Sequence, residues 1–241
     1  MKILIHGINF APELTGIGKY TGEMAAWLAE AGHEVRVVTA PPYYPEWRVT
    51  NDFSNIWQTE RWQGVQVWRC PLYVPVKPSG VKRLLHLASF ELSSLPVMLR
   101  QAAWRPDVVW VVEPAFMCAP TAKALASLIG ANSWLHIQDY EVDAAFDLGL
   151  IKGRALRRWV AGAERWLMRR FDRVSAISGR MVERAKAKSV APERVVHFPN
   201  WVDISGIAPL EAPSAYRAEL GLAPDAVVAL YSGNMGNKQG L

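Results

Sequence analysis

Apolar and polar positions alternate along the chain in a way that predicts short strands separated by longer helices. Residues 2–6 form an apolar run, apolar residues then recur at helical spacing from 20 to 31, and alternating valines at 35–38 predict a second strand. Gly32 and His33 close the helix between them, as a C-terminal glycine should. The opening of the chain therefore predicts a βαβ unit whose helix begins beside a glycine loop.

The same alternation continues to about residue 200. Strands are predicted at 65–68, 107–112, 133–137, 173–177 and 194–198, and helices at about 81–103, 121–129, 153–171 and 178–188. Pro96 should kink or break the first of these helices, and Leu156, Trp159 and Trp166 should face the core from the third. Strands that alternate with helices at least five times predict an α/β fold with a doubly wound, Rossmann-like parallel sheet.

The composition changes after Ile204, where prolines and alanines become frequent. We predict an N-terminal Rossmann-like domain at 1–204, a linker at 205–226 that contains a short helix at 214–220, and the start of a second Rossmann-like domain at 227–241. In that last segment, 227–231 is expected to form a buried strand, and the glycine loop after it carries Lys238, which suits a phosphate.

Overall composition narrows the possible partners only a little. The chain has 241 residues, of which 51% are hydrophobic, and a net charge of +5. This mild excess is compatible with nucleic acid, an anionic membrane surface or phosphorylated substrates. Cys70 and Cys118 are far apart and are predicted to be core residues. Without a signal peptide or an apolar run of ~18 residues, the expected location is cytoplasmic.

Candidate binding residues follow the predicted strands. Gly16 and Gly18 lie where the chain enters the first helix, where backbone N–H groups and the helix dipole attract anions. The alternative is that these glycines only make the turn. Gln138-Asp139 and the pair Asn200 and Asp203 follow later strands, and parallel sheets bind ligands beyond the carboxyl ends of their strands. Asn200 and Asp203 either touch ligand or hold an interdomain turn.

Two further patterns leave alternatives open. Gly16-x-Gly18-x-x-x-Gly22 resembles a dinucleotide fingerprint, but about a dozen residues separate it from its strand and Thr39 stands where an acidic residue is expected. A dinucleotide-dependent oxidoreductase is therefore disfavoured, while a non-catalytic sugar- or phosphate-binding module stays open. The predicted helix at 153–171 is rich in arginine, which is typical either of a solvated face or of a helix beside an anionic membrane.

Three segments resemble the family 4 glycosyltransferases, whose two-domain fold is called GT-B. They are FAPELTGIG at 10–18 with GHEV at 32–35, PNWVD at 199–203, and YSGN to QGL at 231–241. The stretch HIQDYEVD at 136–143 is most similar to the colanic-acid type and to fucosyltransferases of exopolysaccharide synthesis. The resemblance covers the whole chain and implies the N-terminal portion of such an enzyme.

The resemblance implies transfer of a sugar from a nucleotide-sugar, with GDP-fucose as a candidate, by a retaining mechanism without metal or cofactor. The implied acceptor is a lipid-linked saccharide at the inner face of the cell membrane, with peripheral contact to anionic lipid and no nucleic-acid partner. Asp139 or Gln138 would lie near the reacting sugar. The implied diphosphate-binding residues are Thr15, Gly16 and Gly18 on one side and Gly233, Asn234 and Lys238 on the other.

The sequence departs from the family pattern at several of these positions. Thr15 replaces one of the usual two glycines, Gln138-Asp139 replaces a frequent histidine, and Trp201 replaces a glycine.

Overall fold

The computed structural model describes residues 1–113, 116–140, 153–204, 208–210, 212–223 and 225–232. The chain divides into two units, Met1–Asn200 and Trp201–Leu241. The first unit contains eight strands: β1 Lys2–His6, β2 Glu34–Thr39, β3 Gln58–Trp62, β4 Val65–Arg69, β5 Val108–Glu113, β6 Asn132–Ile137, β7 Arg173–Ala176 and β8 Val195–His197. Its helices are α1 Gly16–Glu30, α2 Gly80–Gln101, α3 Ala119–Ile129, α4 Arg154–Met168 and α5 Gly179–Ala187.

The strands form one sheet in the order β3-β4-β2-β1-β5-β6-β7-β8, in which only the β3–β4 pair is antiparallel. The chain leaves β1 in one direction along the sheet and later leaves β5 in the other. Because crossovers between parallel strands are right-handed, helices after β1 and after β5 cover opposite faces. The predicted doubly wound, Rossmann-like class is thus confirmed, and the strand order reverses between β1 and β5, where such sheets bind ligands.

The main hydrophobic core lies on the sheet face covered by α2 and α3. Alternate strand residues such as Val109, Val111 and Leu135 pack there against Phe90 of α2 and Leu125 of α3. Cys70 and Cys118 are also buried, as predicted, and both are free cysteines. The strands at the centre of the sheet are buried on both faces, which explains their nearly continuous apolar sequences.

The sequence analysis missed β3. This edge strand pairs with β4 through a two-residue turn, Gln63-Gly64, in which both residues have positive φ. Such a turn matches the twist of an antiparallel hairpin. The strand QTERW alternates between half-buried and exposed residues, so it lacks the apolar run that revealed the inner strands.

Several helix faces differ from the predicted ones. Helix α2 continues through Pro96, which neither breaks nor ends it. In α1 the buried side consists of Met24 and small residues such as Gly18, Gly22 and Ala25, and Trp27 is 65% exposed. In α4 the predicted core residues Leu156, Trp159 and Trp166 are exposed. The side of α4 that packs inward instead carries Glu164, Leu167 and Met168.

The second unit contains little regular structure among its described residues. Its one described helix, α6, spans Tyr216–Glu219, within the range predicted for a short helix. The predicted strand at 227–231 is not formed, and Val227 is fully exposed. A strand of this kind needs a partner to pair its backbone N–H and C=O groups, and no partner strand occurs among the described residues of this unit.

Candidate functional site

Two of the predicted site residues meet at the carboxyl edge of the sheet. The side-chain amide of Gln138, just after β6, donates a hydrogen bond of 3.0 Å to Oδ1 of Asn200, which follows β8. The same amide nitrogen lies 3.1 Å from Nε2 of His136, the penultimate residue of β6. The sheet therefore joins residues that are more than sixty positions apart in sequence into one polar group.

His136 extends this group into the sheet. Its Nδ1 lies 2.8 Å from Oγ of Ser175 on β7, the residue paired with it in the strand register. With Gln138 donating to Nε2, the proton of the ring lies on Nδ1 and Ser175 accepts it. Ser175 also accepts from the indole N–H of Trp134 at 2.8 Å. Burial lowers the pKa of His136 to about 4, so the imidazole is neutral at physiological pH.

An aromatic cluster surrounds the histidine on the same face of the sheet. Trp110 and Trp134 are register partners on β5 and β6, and their rings stack with centroids 4.7 Å apart. Phe198 meets both Trp110 and His136 edge-on, at 5.6 Å and 5.3 Å. These contacts fix the orientation of His136, and through it the orientation of the Gln138 amide.

The glycine loop ends in an open helix N-terminus. Thr15 is the N-cap of α1, it makes no side-chain capping bond, and both Thr15 and Gly16 are exposed. Gly16 has a φ of +60°, and the nearest atom to a Cβ placed there is 4.0 Å away, in the ring of Tyr44. The first N–H groups of α1 are therefore not used by a capping side chain, which is the geometry that accepts an anion.

Gly18 leaves room for a neighbouring side chain. A Cβ at Gly18 would lie 2.7 Å from the Cβ of Glu13, so the missing side chain makes room for this glutamate. The Glu13 carboxylate accepts hydrogen bonds from Asn9 Nδ2 at 3.0 Å and from the backbone N–H groups of Tyr43 and Tyr44 at 3.2 and 3.1 Å. Glu13 thereby ties the glycine loop to the loop after β2.

Burial raises the pKa of Glu13 to about 6, although the two backbone N–H groups, Asn9 and the positive charge of Arg69 favour the ionised form. Arg69, at the end of β4, is fully buried and donates to the carbonyl oxygens of Ala11 at 2.7 Å and Ala40 at 2.9 Å. Its guanidinium also pairs with Glu60 on β3. Glu13 and Arg69 thus each connect the glycine loop to the loop after β2.

Two other predicted site residues, Asp139 and Asp203, lie at the surface. Asp139 is exposed at the carboxyl end of β6, and Asp203 is exposed in the second unit. Gly233, Asn234 and Lys238 lie outside the described residues. Among the residues that the structure does describe, one group of side chains has the residue types and the spacing to hold a metal ion. It consists of His6, Glu91 and Cys118.

Sequence reasoning missed the site contributions of His136, Ser175 and Glu13. His136 lies in a strand that the sequence predicted, but its hydrogen bond to Ser175 depends on the register of β6 with β7. An alternating polar residue in an otherwise apolar strand was the available signal, as at His136 and Ser175. For Glu13 the signal was a carboxylate within an apolar glycine loop.

The comparison with known proteins agrees with this architecture. Residues 15–201 match the family described as Glycosyl transferase 4-like domain, and the chain belongs to that family of glycosyltransferases. Its sheet is the Rossmann-like half expected of a GT-B fold, so the fold and family predictions are both confirmed.

One relative is the putative colanic acid biosynthesis glycosyl transferase WcaI of Escherichia coli (strain K12). It is 51% identical over 247 residues, which cover 100% of this chain and 60% of the relative. The chain therefore spans about three-fifths of the length of the curated relative that it matches. No helix among the described residues is both long and apolar enough to cross a membrane.

Proposed function

We propose that this chain supplies the acceptor-side domain of a retaining, metal-independent glycosyltransferase of exopolysaccharide synthesis. The donor is a nucleotide-sugar, with GDP-fucose as the first candidate, and the acceptor is a lipid-linked oligosaccharide. The observation that carries the proposal is the joining of Gln138 to Asn200 at the carboxyl edge of a family 4 sheet. This edge is where parallel α/β sheets bind their ligands.

The chemistry of the two loops fits such a transfer. Charge develops on the leaving diphosphate, and the uncapped N-terminus of α1 at Thr15 and Gly16 offers N–H groups and a positive dipole end. Gln138 offers a neutral amide whose position is set by His136 and Asn200. Asp139, exposed beside it, supplies a carboxylate within reach of the same edge. Gly233, Asn234 and Lys238 are proposed to meet the diphosphate from the second domain.

A dinucleotide-dependent reaction is not proposed for this site. The end of β2, where a ribose carboxylate would stand, carries Thr39, and its buried hydroxyl donates to the carbonyl oxygen of Ile8 at 3.2 Å.

A chimera tests the proposed activity. This chain replaces the matching part of the E. coli relative, and the chimera is expressed in a strain that lacks the relative. We expect colanic acid to be restored, and Gln138→Ala or Asn200→Ala to lower the transfer rate of the purified chimera about tenfold or more, because one positioned hydrogen bond is lost. Product NMR should show retained anomeric configuration, and added Mg²⁺ or Mn²⁺ should not raise the rate.

Gln58→Ala, on the edge strand β3, is the matched control and should leave the transfer rate unchanged. GDP-fucose, GDP-mannose and UDP-glucose are compared as donors. An equal loss of transfer rate in Gln58→Ala and Gln138→Ala would contradict the proposed site. A preference for a UDP-sugar would contradict GDP-fucose as the donor.

We also propose that α2 lies on the membrane surface. The helix has a buried side and a second, exposed apolar stripe along its whole length, formed by Val81, Leu84, Leu85, Leu92, Leu95 and Leu99. Lys77, Lys82 and Arg83 are exposed at or near its N-terminal end, and its only acidic residue, Glu91, is partly buried. An exposed apolar stripe flanked by basic residues is the pattern of a helix that lies in an anionic interface.

Helix α4 presents a similar surface. Leu156, Trp159 and Trp166 are exposed on it together with several arginines, so the sequence prediction of a membrane-facing basic helix remains a proposal for this element. Each basic residue near an anionic surface contributes about 1 kcal/mol. Burying a leucine side chain contributes about 1.5–3 kcal/mol more.

Sedimentation with vesicles of phosphatidylglycerol and phosphatidylethanolamine at low salt tests this surface. Leu84→Glu in α2 should reduce the bound fraction about tenfold or more, since one buried leucine is worth at least one power of ten in partitioning. Leu128→Glu, at an exposed leucine of α3, is the matched control. If the unaltered chain ignores these vesicles, or if both variants bind equally well, the membrane proposal fails.

A further inference from the structure

Three side chains with metal-ligand chemistry converge where the strand order of the sheet reverses. They are His6 at the end of β1, Glu91 in the middle of α2 and Cys118 directly before α3. One potential ligand atom from each lies within 4.8 Å of the other two. His6 and Cys118 are fully buried, and the sequence analysis assigned neither of them to a site.

The hydrogen bonding of His6 leaves one ring nitrogen available. Nε2 lies 3.1 Å from Oγ of Ser94, and that hydroxyl donates its one hydrogen to the backbone carbonyl of Glu91 at 3.1 Å. Nε2 must therefore carry the ring proton and donate to Ser94. Nδ1 then holds a lone pair, and this buried atom has no hydrogen-bond partner. A histidine that ligates a metal through one nitrogen characteristically donates from the other in this way.

The carboxylate of Glu91 likewise has one hydrogen-bonded atom and one atom without a partner. Its Oε1 accepts a hydrogen bond from the Thr121 hydroxyl, whereas its buried Oε2 has no partner. Cys118 donates its thiol hydrogen to the Glu91 carboxylate. Leaving two buried polar atoms unpaired is costly, at about 1–3 kcal/mol each, and native interiors seldom do so without a ligand.

We propose that His6 Nδ1, Glu91 Oε2 and Cys118 Sγ bind a zinc ion. An imidazole nitrogen, a thiolate and a carboxylate are the ligands of tetrahedral Zn²⁺, and a fourth position remains for water. With metal–ligand bonds of about 2.0–2.3 Å, tetrahedral ligands stand about 3.5 Å apart, so the three atoms need to converge by about 1 Å. Zinc binding displaces the thiol proton of Cys118 to solvent, and no oxidant or reductant takes part.

The position suggests a structural and positioning role. An ion held there would tie the last residue of β1, which directly precedes the glycine loop, to both α2 and α3. It would take no part in the sugar transfer, so the proposal is independent of the proposed function.

Cobalt substitution tests the site with a spectroscopic signal that does not depend on activity. The untagged 241-residue chain is stripped with a chelator and titrated with Co²⁺ and with Zn²⁺. We expect one equivalent of Co²⁺ to give the near-ultraviolet thiolate charge-transfer band and the visible bands of a tetrahedral site, with Zn²⁺ displacing it. Cys118→Ser should lose the thiolate band. Ser94→Ala, which removes the partner of His6 Nε2, should weaken binding about 10- to 100-fold.

Cys70→Ser is the matched control, because Cys70 is the other buried free cysteine and lies outside the cluster. It should keep the band and the affinity. Circular dichroism confirms that each variant is folded before titration, and Ser94→Ala keeps the test decisive if Cys118→Ser does not fold. Absence of the band in the unaltered folded chain, or equal binding by wild type and Ser94→Ala, would overturn the proposal.

Discussion

At the residue scale, Glu13 is held by several contacts near the glycine loop. Its carboxylate is buried, accepts three hydrogen bonds and occupies the space beside Gly18. Burial nevertheless raises its pKa from 4.5 to about 6. The desolvation of the carboxylate therefore outweighs the hydrogen bonds that favour its ionised form. Ionisation of Glu13 at neutral pH lowers the free energy of unfolding.

The pH dependence of stability should reveal this cost. Because the folded pKa is above the unfolded one, the folded state binds more protons between pH 4.5 and about 6, and the contribution of Glu13 to stability falls as pH rises through this window. A shift of this size corresponds to about 2 kcal/mol. Relative to wild type, Glu13→Gln should therefore gain about 2 kcal/mol of unfolding free energy between pH 4.5 and 7, measured by urea denaturation.

Glu219→Gln is the control, since this glutamate lies in the second unit. A free-energy difference between Glu13→Gln and wild type that stays constant over this pH range would contradict the prediction.

Sequence alone predicted only part of the site at this scale. Gln138 and Asn200 follow strands, and the rule that ligands bind beyond the carboxyl ends of parallel strands was enough to place both at one edge of the sheet. Ser175 and Glu13 were missed, because their roles depend on which strand pairs with which and on which loop packs against which. Those choices are made by long-range packing and leave no local pattern.

At the element scale, apolar periodicity located the helices better than it identified their buried sides. Helices α2 and α4 both carry apolar residues on more than one side, and the pattern does not state which side the sheet covers. Glu164 is buried in α4, where its carboxylate pairs with Lys188, and Trp159 is exposed. Strand β3 was missed for the opposite reason, because an edge strand needs no apolar run.

The end of α3 gives a prediction about one such element. Gly130 is its C-cap residue in the left-handed region, with a φ of +72°, and its N–H donates to the carbonyl of Ala126. Gly130→Ala should lower the free energy of unfolding by about 1 kcal/mol, because a Cβ is disfavoured in this conformation. Thermal or urea denaturation measures the change.

Gly162→Ala supplies a control of opposite sign. Gly162 lies inside α4 with open space around its Cα, so the same substitution should raise the free energy of unfolding by about 0.5–1 kcal/mol. A destabilisation of similar size in both variants would show that conformation at residue 130 is not the cause.

At the scale of the whole molecule, every strand of the sheet belongs to the first unit. The alternation of strands and helices predicted this doubly wound architecture, because each crossover helix must bury one apolar face on the sheet. The predicted strand at 227–231 did not form. An apolar run favours a strand only where a neighbouring strand can pair with its backbone.

Residues 1–200 should therefore fold without the second unit. We expect this fragment to show cooperative thermal unfolding and a near-ultraviolet circular dichroism signal from the stacked Trp110 and Trp134. A fragment that ends at residue 193 lacks β8 and Asn200, and it should lose part of this cooperativity. A non-cooperative transition for 1–200 itself would show that residues beyond Asn200 are needed for the fold.

The packing of Glu13 beside Gly18 also determines what a mutational scan of the glycine loop can reveal. Any side chain at residue 18 would displace the buried Glu13 carboxylate and break its hydrogen bonds to the loop after β2. A resulting loss of affinity for the nucleotide-sugar would therefore carry no information about a phosphate contact. Thr15 is different, since it is exposed and its side chain makes no capping bond. Its replacement by alanine is the change in this loop that reports on the ligand rather than on the scaffold.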